Sequence, residues 1–576
     1  MKKRIFLFVL FLMATMVNVN ADIVVVINGI NYSLNDRTNG ASVVSLPDGN
    51  KYTGNITIPE YVAYNNKEYQ VNAIGQGAFT ESSELSSVSI PNSVTRIESY
   101  AFYGCIALES ITIPNSVTRI ESYAFYGCIT LESITIPKSV KVILDGTTFA
   151  HCDKLSSMIV EDGNECFDSR NNCNAIIRTK TNELVAGCKT TIIPSDVISI
   201  GVEAFYECTD LKKIDLPNSV TRIDNGAFKR CSSLESINLP NSLKSIYDQS
   251  FLECYSLSSI KIPKRVSSIG EHVFEGCKSL NKMEVEEGNE YYDSREACNA
   301  IIRTNDNCLL FGCQSTRIPS SITSVGSYAF KNISGLESIT IPVNVSMLEL
   351  DAFDGCRLKN ILVKSLNTAF NKYAFSDATL RHSTVFVPVD QFWDAVYDSN
   401  WSSFQNIREI ATGADEISQE KAYTLMNTDD YNFAVYDAVN NHVTNAESLY
   451  NIDENNPING WQIVKDAGKT YLYNIGVRKY ASIGTDGKFM LSATPISIEM
   501  QESENGFKLG SSDKQWGFVI NENLHPVEGL TAIETVCSDV TPNETYSIDG
   551  YKLQQTKKGV NLIRTNEGRV KKVIVM

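Results

Sequence analysis

Asn92 to Pro114 reads N-S-V-T-R-I-E-S-Y-A-F-Y-G-C-I-A-L-E-S-I-T-I-P, and Asn115 to Pro137 repeats it with one change, Thr130 in place of Ala107. Such self-similarity has to be read before any single element. The proline returns at Pro194, Pro217, Pro240, Pro263, Pro319 and Pro342. The phenylalanine keeps step at Phe79, Phe102, Phe125, Phe205, Phe228, Phe251, Phe274, Phe330 and Phe353. Each unit carries Leu-x-x-Ile-x-Ile-Pro, as in Leu108, Ile111, Ile113 and Pro114. The last residues before proline alternate in, out, in, which predicts a short strand that proline ends. Val-x-x-Ile (Val117, Ile120) predicts a second short extended stretch, and Ala-Phe-x-x-Cys a tight helical or 3₁₀ turn burying Phe and Cys.

One coil of this kind is strand, turn, strand, turn, with too few apolar side chains to order itself. Stacked coils share backbone ladders and a continuous core, so the repeat predicts a solenoid. A longer period lies on top of the 23-residue one. Glu-x-Gly-Asn-Glu at 161–165 and 286–290, and Cys-Asn-Ala-Ile-Ile-Arg-Thr at 173–179 and 298–304, are each separated by 125 residues. Within each block one coil is enlarged, and its Ala-Ile-Ile-Arg-Thr run predicts an added hairpin. Strand positions are expected to end at residues 58, 90, 113, 136, 160, 193, 216, 239, 262, 285, 318, 341, 363 and 387.

These units resemble the short leucine-rich repeats of BspA-like bacterial surface proteins over roughly residues 50 to 410. The stretch from Val385 through Trp401 and Phe404 to Ile407 resembles the closure of such arrays, and Tyr52, Gly54, Ile58-Pro59 and Ile74-Gly75 the cap that opens them. The resemblance implies display on a cell surface and adhesion to host matrix or to other cells, without naming the ligand. The expected fold class is a repeat solenoid, mainly β with short helical or 3₁₀ turns, followed by all-β C-terminal modules.

The chain ends and composition set further limits. Met1-Lys-Lys-Arg4, an apolar run from Ile5 to Met13 and Val19-Asn-Ala21 predict a signal peptide over 1–21, with Asp22 the mature start. That run is too short to span a bilayer, and no membrane-spanning segment is expected in the mature chain. The expected organisation is then an N-terminal β cap at 22–75, the solenoid with its closure at 76–410, an all-β module at 411–530 and a C-terminal β segment at 531–576. The formal charge of −16 disfavours nucleic acid as a partner, because phosphate would be repelled.

Fifteen Cys in an exported chain invite a disulfide reading. Most share one repeat position: Cys105, Cys128, Cys152, Cys208, Cys231, Cys254, Cys277 and Cys356 follow the phenylalanine and are expected to stack as small apolar residues. Cys173 with Cys188, and Cys298 with Cys313, flank the added hairpins, where disulfide and free thiol both stay open. The five His (His151, His272, His382, His442, His525) match no catalytic or zinc-binding spacing, so no enzyme, metal or cofactor is expected.

Two binding sites compete. The outward residue of each repeat strand lines up along one face: Thr112, Thr135, Ile159, Ile192, Asp215, Asn238, Lys261, Glu284, Arg317, Thr340 and Leu362. Its polar middle, Asp215, Asn238, Lys261, Glu284 and Arg317, is the candidate row for a protein ligand. The alternative is a lectin: residues 421–528 loosely resemble a ricin-type trefoil with a short third unit, in which Trp461, Tyr471, Tyr473 and Trp516 would bind glycan and the solenoid would be a stalk. The last segment (Tyr546–Leu553, Lys558–Ile563, Val570–Val575) reads as three strands and resembles a type IX secretion sorting domain, implying export to the outside of the outer membrane.

Overall fold

The computed structural model describes residues 22–412, most of 422–526, and the backbone of four strands between 544 and 575. The expected signal peptide, residues 1–21, lies outside the described residues. The chain forms two compact units, Met1–Cys277 and Lys278–Met576. The first, and the second as far as Ala411, are built from β-solenoid coils with few helices.

In the first unit the Val-x-x-Ile stretches build the longer sheets. Arg96–Ile97, Arg119–Ile120 and Val142–Ile143 are only two residues long, yet they pair in parallel and continue the N-terminal strands Ile23–Ile27, Ile30–Asn35, Gly40–Val44 and Lys67–Ile74. A second sheet runs from Phe167–Asp168 through Ala175–Arg178 and Glu183–Gly187 to Ser199–Ile200, Arg222–Ile223, Ser245–Ile246 and Ser268–Ile269. The Leu-x-x-Ile-x-Ile stretches form the other face, as Ser133–Ile136 on Ser157–Val160 and Lys213–Asp215 on Ser236–Asn238. At 113, 193 and 318 the expected strand is extended chain without a ladder. For 193 and 318 the reason is visible: Ile192 N–H and Arg317 N–H donate instead to Cys173 and Cys298 carbonyls of the enlarged coils, at 3.0 and 3.1 Å.

The expected hairpin forms in each enlarged coil, Ala175–Arg178 on Glu183–Gly187 and Ala300–Arg303 on Cys308–Gly312. Each ends on a glycine that the next coil requires. A Cβ on Gly187 would stand 2.3 Å from the Phe205 ring, and one on Gly312 2.0 Å from that of Phe330.

The Ala-Phe-x-x-Cys turns are where coil joins coil. The phenylalanine rings stack at 5.1 Å from Phe79 to Phe102, 5.2 Å from Phe102 to Phe125, and 5.1 Å from Phe205 to Phe228. Their backbone is tied forward, Phe102 N–H donating to Ala124 O and Phe205 N–H to Ala227 O, both at 2.8 Å. The repeat cysteine does more than fill space. Cys105, Cys128, Cys152, Cys231, Cys254 and Cys277 each donate the thiol to the phenylalanine carbonyl of the preceding coil, at 3.0–3.2 Å. Of these phenylalanine turns only Gly146–Phe149 is a regular 3₁₀ helix among the described residues. In several others the residue two before phenylalanine is left-handed, with φ of 61° at Tyr100, 60° at Tyr123 and 63° at Tyr328, and a left-handed residue stops a right-handed helix.

In the second unit the stacked strands Ser338–Ile341, Asn360–Val363, Thr384–Pro388 and Asn406–Ala411 pair in parallel. Two short helices, Asp377–His382 and Phe392–Tyr397, close the coils around buried Trp401. The sheet does not stop there, because Ile410 and Ala411 pair antiparallel with Val519 and Phe518 of Gln515–Ile520. From that strand the pairing runs to Tyr423–Asn427, Trp461–Asp466 and Lys469–Asn474, touches Ile498 at Thr470, and returns through Met500–Ser503 and Gly506–Leu509. The ring encloses a core that includes Trp461, Leu472, Phe489, Phe507, Trp516 and Phe518. Near the C-terminus four strands, where three were expected, form an antiparallel sheet: Glu544–Ser547, Lys552–Leu553, Gly559–Arg564 and Val570–Val575.

The described cysteines are all free thiols. Cys173 and Cys188 donate to different carbonyls, Ala175 and Asn174, and Cys298 and Cys313 to Ala300 and Asn299. Burial pushes the thiols of Cys105, Cys152, Cys277 and Cys356 up to about 12, and those of Cys173 and Cys298 to about 11. A raised thiol pKa stabilises the fold below the unfolded value and loses that stabilisation as pH rises toward the folded one. Resistance to denaturant is therefore expected to fall as pH rises from about 9 toward 12. Thiol labelling of the native protein at pH 8 should be slow at the ladder positions and complete after unfolding; fast labelling of Cys128 or Cys254 in native protein would show that the ladder is open.

Candidate binding face

The outward strand row was the candidate for a protein ligand, and its members have different fates. In the first unit Asp215, Asn238 and Lys261 are exposed, and Asp215 and Asn238 sit opposite each other in the parallel pair of their strands. Their neighbours Ile214, Ile237 and Ile260 are buried, so the pleat alone fixes which side chains face solvent. Just before this polar stretch the same row exposes two large apolar side chains, Ile159 at 49% and Ile192 at 74%. Thr190 Oγ1 donates to the Ser156 carbonyl at 2.6 Å, which ties the segment bearing Ile192 to the coil bearing Ile159. An apolar centre beside a polar rim is the usual composition of a protein contact.

In the second unit the positions 125 residues on are Glu284 and Arg317, so the duplicated block replaces the isoleucines by opposite charges. Glu284 is half-buried and accepts an ion pair from Lys282 at 2.8 Å. Arg317 faces Asp429 at 3.8 Å, while Asp429 also accepts from the Gln515 backbone at 2.9 Å. Further along, the row is covered. Leu362, Phe386 and Ile410 are buried against Met426, Phe433 and Val519, with Phe386 and Phe433 ring centroids 6.0 Å apart. Arg408 and Glu454 add an ion pair at 3.4 Å. The residues after 421 thus pack on the outward face of the last coils, which is why that row turns from polar to Leu362 and Phe386.

The four candidate glycan residues are buried side chains. Trp461 is 0% exposed and Trp516 2%, and both lie in the core of the ring. Tyr471 and Tyr473 are buried with Val464 and Tyr480 in a separate small cluster. A sugar stacks on an open ring face, and these faces are occupied by other side chains. Sequence patterning marks such residues as important without separating a platform from a core. No group of three His, Cys, Asp or Glu among the described residues is placed to hold a metal ion, and no described helix is long and apolar enough to cross a membrane.

The sequence matches the family profile described as the BspA type leucine-rich repeat region over residues 72–181, 177–296 and 306–412, more than half of the chain. The chain belongs to the BspA-type leucine-rich-repeat family. None of the curated proteins compared with it matches. Among solved structures it is similar to a leucine-rich cell surface protein from Faecalibacterium prausnitzii A2-165, at 23% identity and a TM-score of 0.32, covering 68% of this chain and 96% of that one. It is also similar to the pneumococcal vaccine antigen PcpA, at 19% identity and a TM-score of 0.36, covering 67% and 98%. A third is a leucine-rich repeat protein from Bacteroides ovatus ATCC 8483, at 22% identity and a TM-score of 0.35, covering 67% and 100%. The family assignment rests on the repeat match and not on these superpositions.

Ending the BspA-type chain at residue 411 is expected to uncover Leu362, Phe386 and Ile410 and to leave Asn406–Ala411 as an open sheet edge. Size-exclusion chromatography and a hydrophobic dye should report aggregation and dye binding by a 22–411 fragment but not by 22–576. A monomeric, dye-silent fragment would show that the covered face needs no partner.

Proposed function

We propose that this protein is a non-enzymatic, surface-displayed adhesin that binds a protein ligand through the outward strand face of its solenoid. The observation that carries the reading is the exposed pair Ile159 and Ile192 beside Asp215, Asn238 and Lys261. Burying two such isoleucines in an interface is worth about 1.5–3 kcal/mol each, and the polar rim supplies register and selectivity. Membership in the BspA-type family and the likeness to a leucine-rich cell surface protein support display outside the cell. In this reading residues 1–21 direct export, and the segment 531–576 acts as a type IX sorting signal that brings the protein to the outer membrane surface. Residues 22–75 cap the array at its start, and 411–530 form a trefoil-like module that shields its end, not a lectin.

The test is surface plasmon resonance of full-length mature protein, residues 22–576, against extracellular-matrix proteins and against glycans. Binding to a matrix protein is expected, and Ile159→Asp with Ile192→Asp should weaken it at least about tenfold while melting stays unchanged. Matrix binding that survives both substitutions would remove the strand face from the reading. Glycan binding without matrix binding would overturn the reading itself.

A further inference from the structure

Two columns of side chains flank the buried phenylalanine ladder, one two residues before each phenylalanine and one just after it. In the two near-identical coils all four of these positions are tyrosine: Tyr100, Tyr103, Tyr123 and Tyr126. Tyr100 stacks on Tyr123 with centroids 5.1 Å apart and planes within 1°, and Tyr103 stacks on Tyr126 at 4.8 Å and 8°. Tyr100 and Tyr123 hold left-handed backbone, at φ 61° and 60°, a conformation that bulky side chains rarely adopt. The repeat uses the same left-handed turn residue in other coils, at Glu203, Gln249, His272 and Tyr328, so the turn itself fixes where the two rings stand. The face of Tyr100 turned away from Tyr123 meets the coil in which Gly77 holds the same position, and Tyr100 is 39% exposed.

Elsewhere in the same columns the chain supplies its own cation. The Lys229 ammonium lies 5.6 Å from the Tyr206 ring centroid, and that of Lys331 5.3 Å from Tyr328. No lysine or arginine among the described residues lies over the four stacked tyrosines. Carboxylates gather at the downstream end of the stack. Glu207 is already engaged by the hydroxyl of Tyr126 and by Arg230 at 2.9 Å. Asp145 accepts only uncharged donors, Ser122 Oγ and Thr147 N–H, both at 3.1 Å, and the Thr147 hydroxyl. The Glu203 carboxyl is pushed up by burial and then by Asp145, with Lys229 opposing.

The inner faces of the stack are taken by neighbouring rings, which leaves the outer face of Tyr100 to meet a cation, and carboxylates too dispersed to chelate a metal ion still match the planar fork of a guanidinium. We propose that Tyr100, Tyr103, Tyr123 and Tyr126, with Asp145 and Glu203, form a second binding site for an arginine-rich extended segment of a partner protein. The site lies in the phenylalanine turns, apart from the strand row, and stands independently of it. The net charge of −16 steers such a segment toward the chain, and the tyrosines decide where it lodges.

The test is fluorescence anisotropy of labelled nona-arginine with mature protein 22–576 in about 0.15 M salt. Tyr100→Leu with Tyr123→Leu should weaken binding at least about tenfold. Tyr100→Phe with Tyr123→Phe should keep it within about twofold, because the ring is retained. Ile192→Asp, on the strand row, should leave it intact. Equal binding by the leucine pair and the wild type would overturn the proposal, because overall charge alone would then account for the affinity. Should the leucine pair fail to fold, Asp145→Asn with Glu203→Gln takes its place, and unchanged affinity in that variant overturns the proposal equally.

Discussion

Everything in this molecule depends on how one coil closes against the next at the phenylalanine turn. The spacing of about 5 Å between coils is set by backbone hydrogen bonding, and it is also a comfortable distance for offset aromatic rings. Phe102 N–H to Ala124 O, the Phe102–Phe125 stack and the Cys128 thiol to the Phe102 carbonyl are three contacts made at one pitch. A valine in the cysteine position would fill the volume and leave that carbonyl without its thiol donor. The Phe102 carbonyl would keep the Cys105 backbone N–H at 3.2 Å, so the thiol is its second donor, the one that comes from the next coil.

The same pitch produces the surfaces. Because coils repeat at about 5 Å, any residue type recurring at one repeat position becomes a row: buried rings inside, tyrosines beside them, and alternating isoleucine and polar residues on the strand face. Rows can be edited one coil at a time without disturbing the core. Ile159 and Ile192 become Glu284 and Arg317 in the duplicated block while the interior Phe149 and Cys152 recur as Phe274 and Cys277, and Phe205 as Phe330. An outward face can therefore be varied at little cost to stability.

An array of parallel strands ends on an exposed edge, and the edge must be managed. Here Asn406–Ala411 is paired by Gln515–Ile520, and the outward Leu362, Phe386 and Ile410 are covered by Met426, Phe433 and Val519. The four aromatic residues that the trefoil resemblance offers to glycan are core of that covering structure or of its small side cluster. Trp and Tyr serve either purpose, since both carry a large apolar body with a polar tip, and only neighbours decide between them.

The repeat, its 23-residue pitch, the buried positions and the inserted hairpins were legible in the sequence alone, because a periodic chain states the same local instruction many times and neighbours can satisfy it in only one register. The stacking of Tyr100 on Tyr123 is encoded in the recurring Ser-Tyr-Ala-Phe-Tyr, since the same residue at the same repeat position meets itself one coil on. Three features belonged to tertiary structure: the thiol donors, the left-handed turn residues, and the covering of Leu362, Phe386 and Ile410. Each depends on which distant atoms face a side chain across a coil boundary or a sheet edge, and no local pattern of residues encodes that.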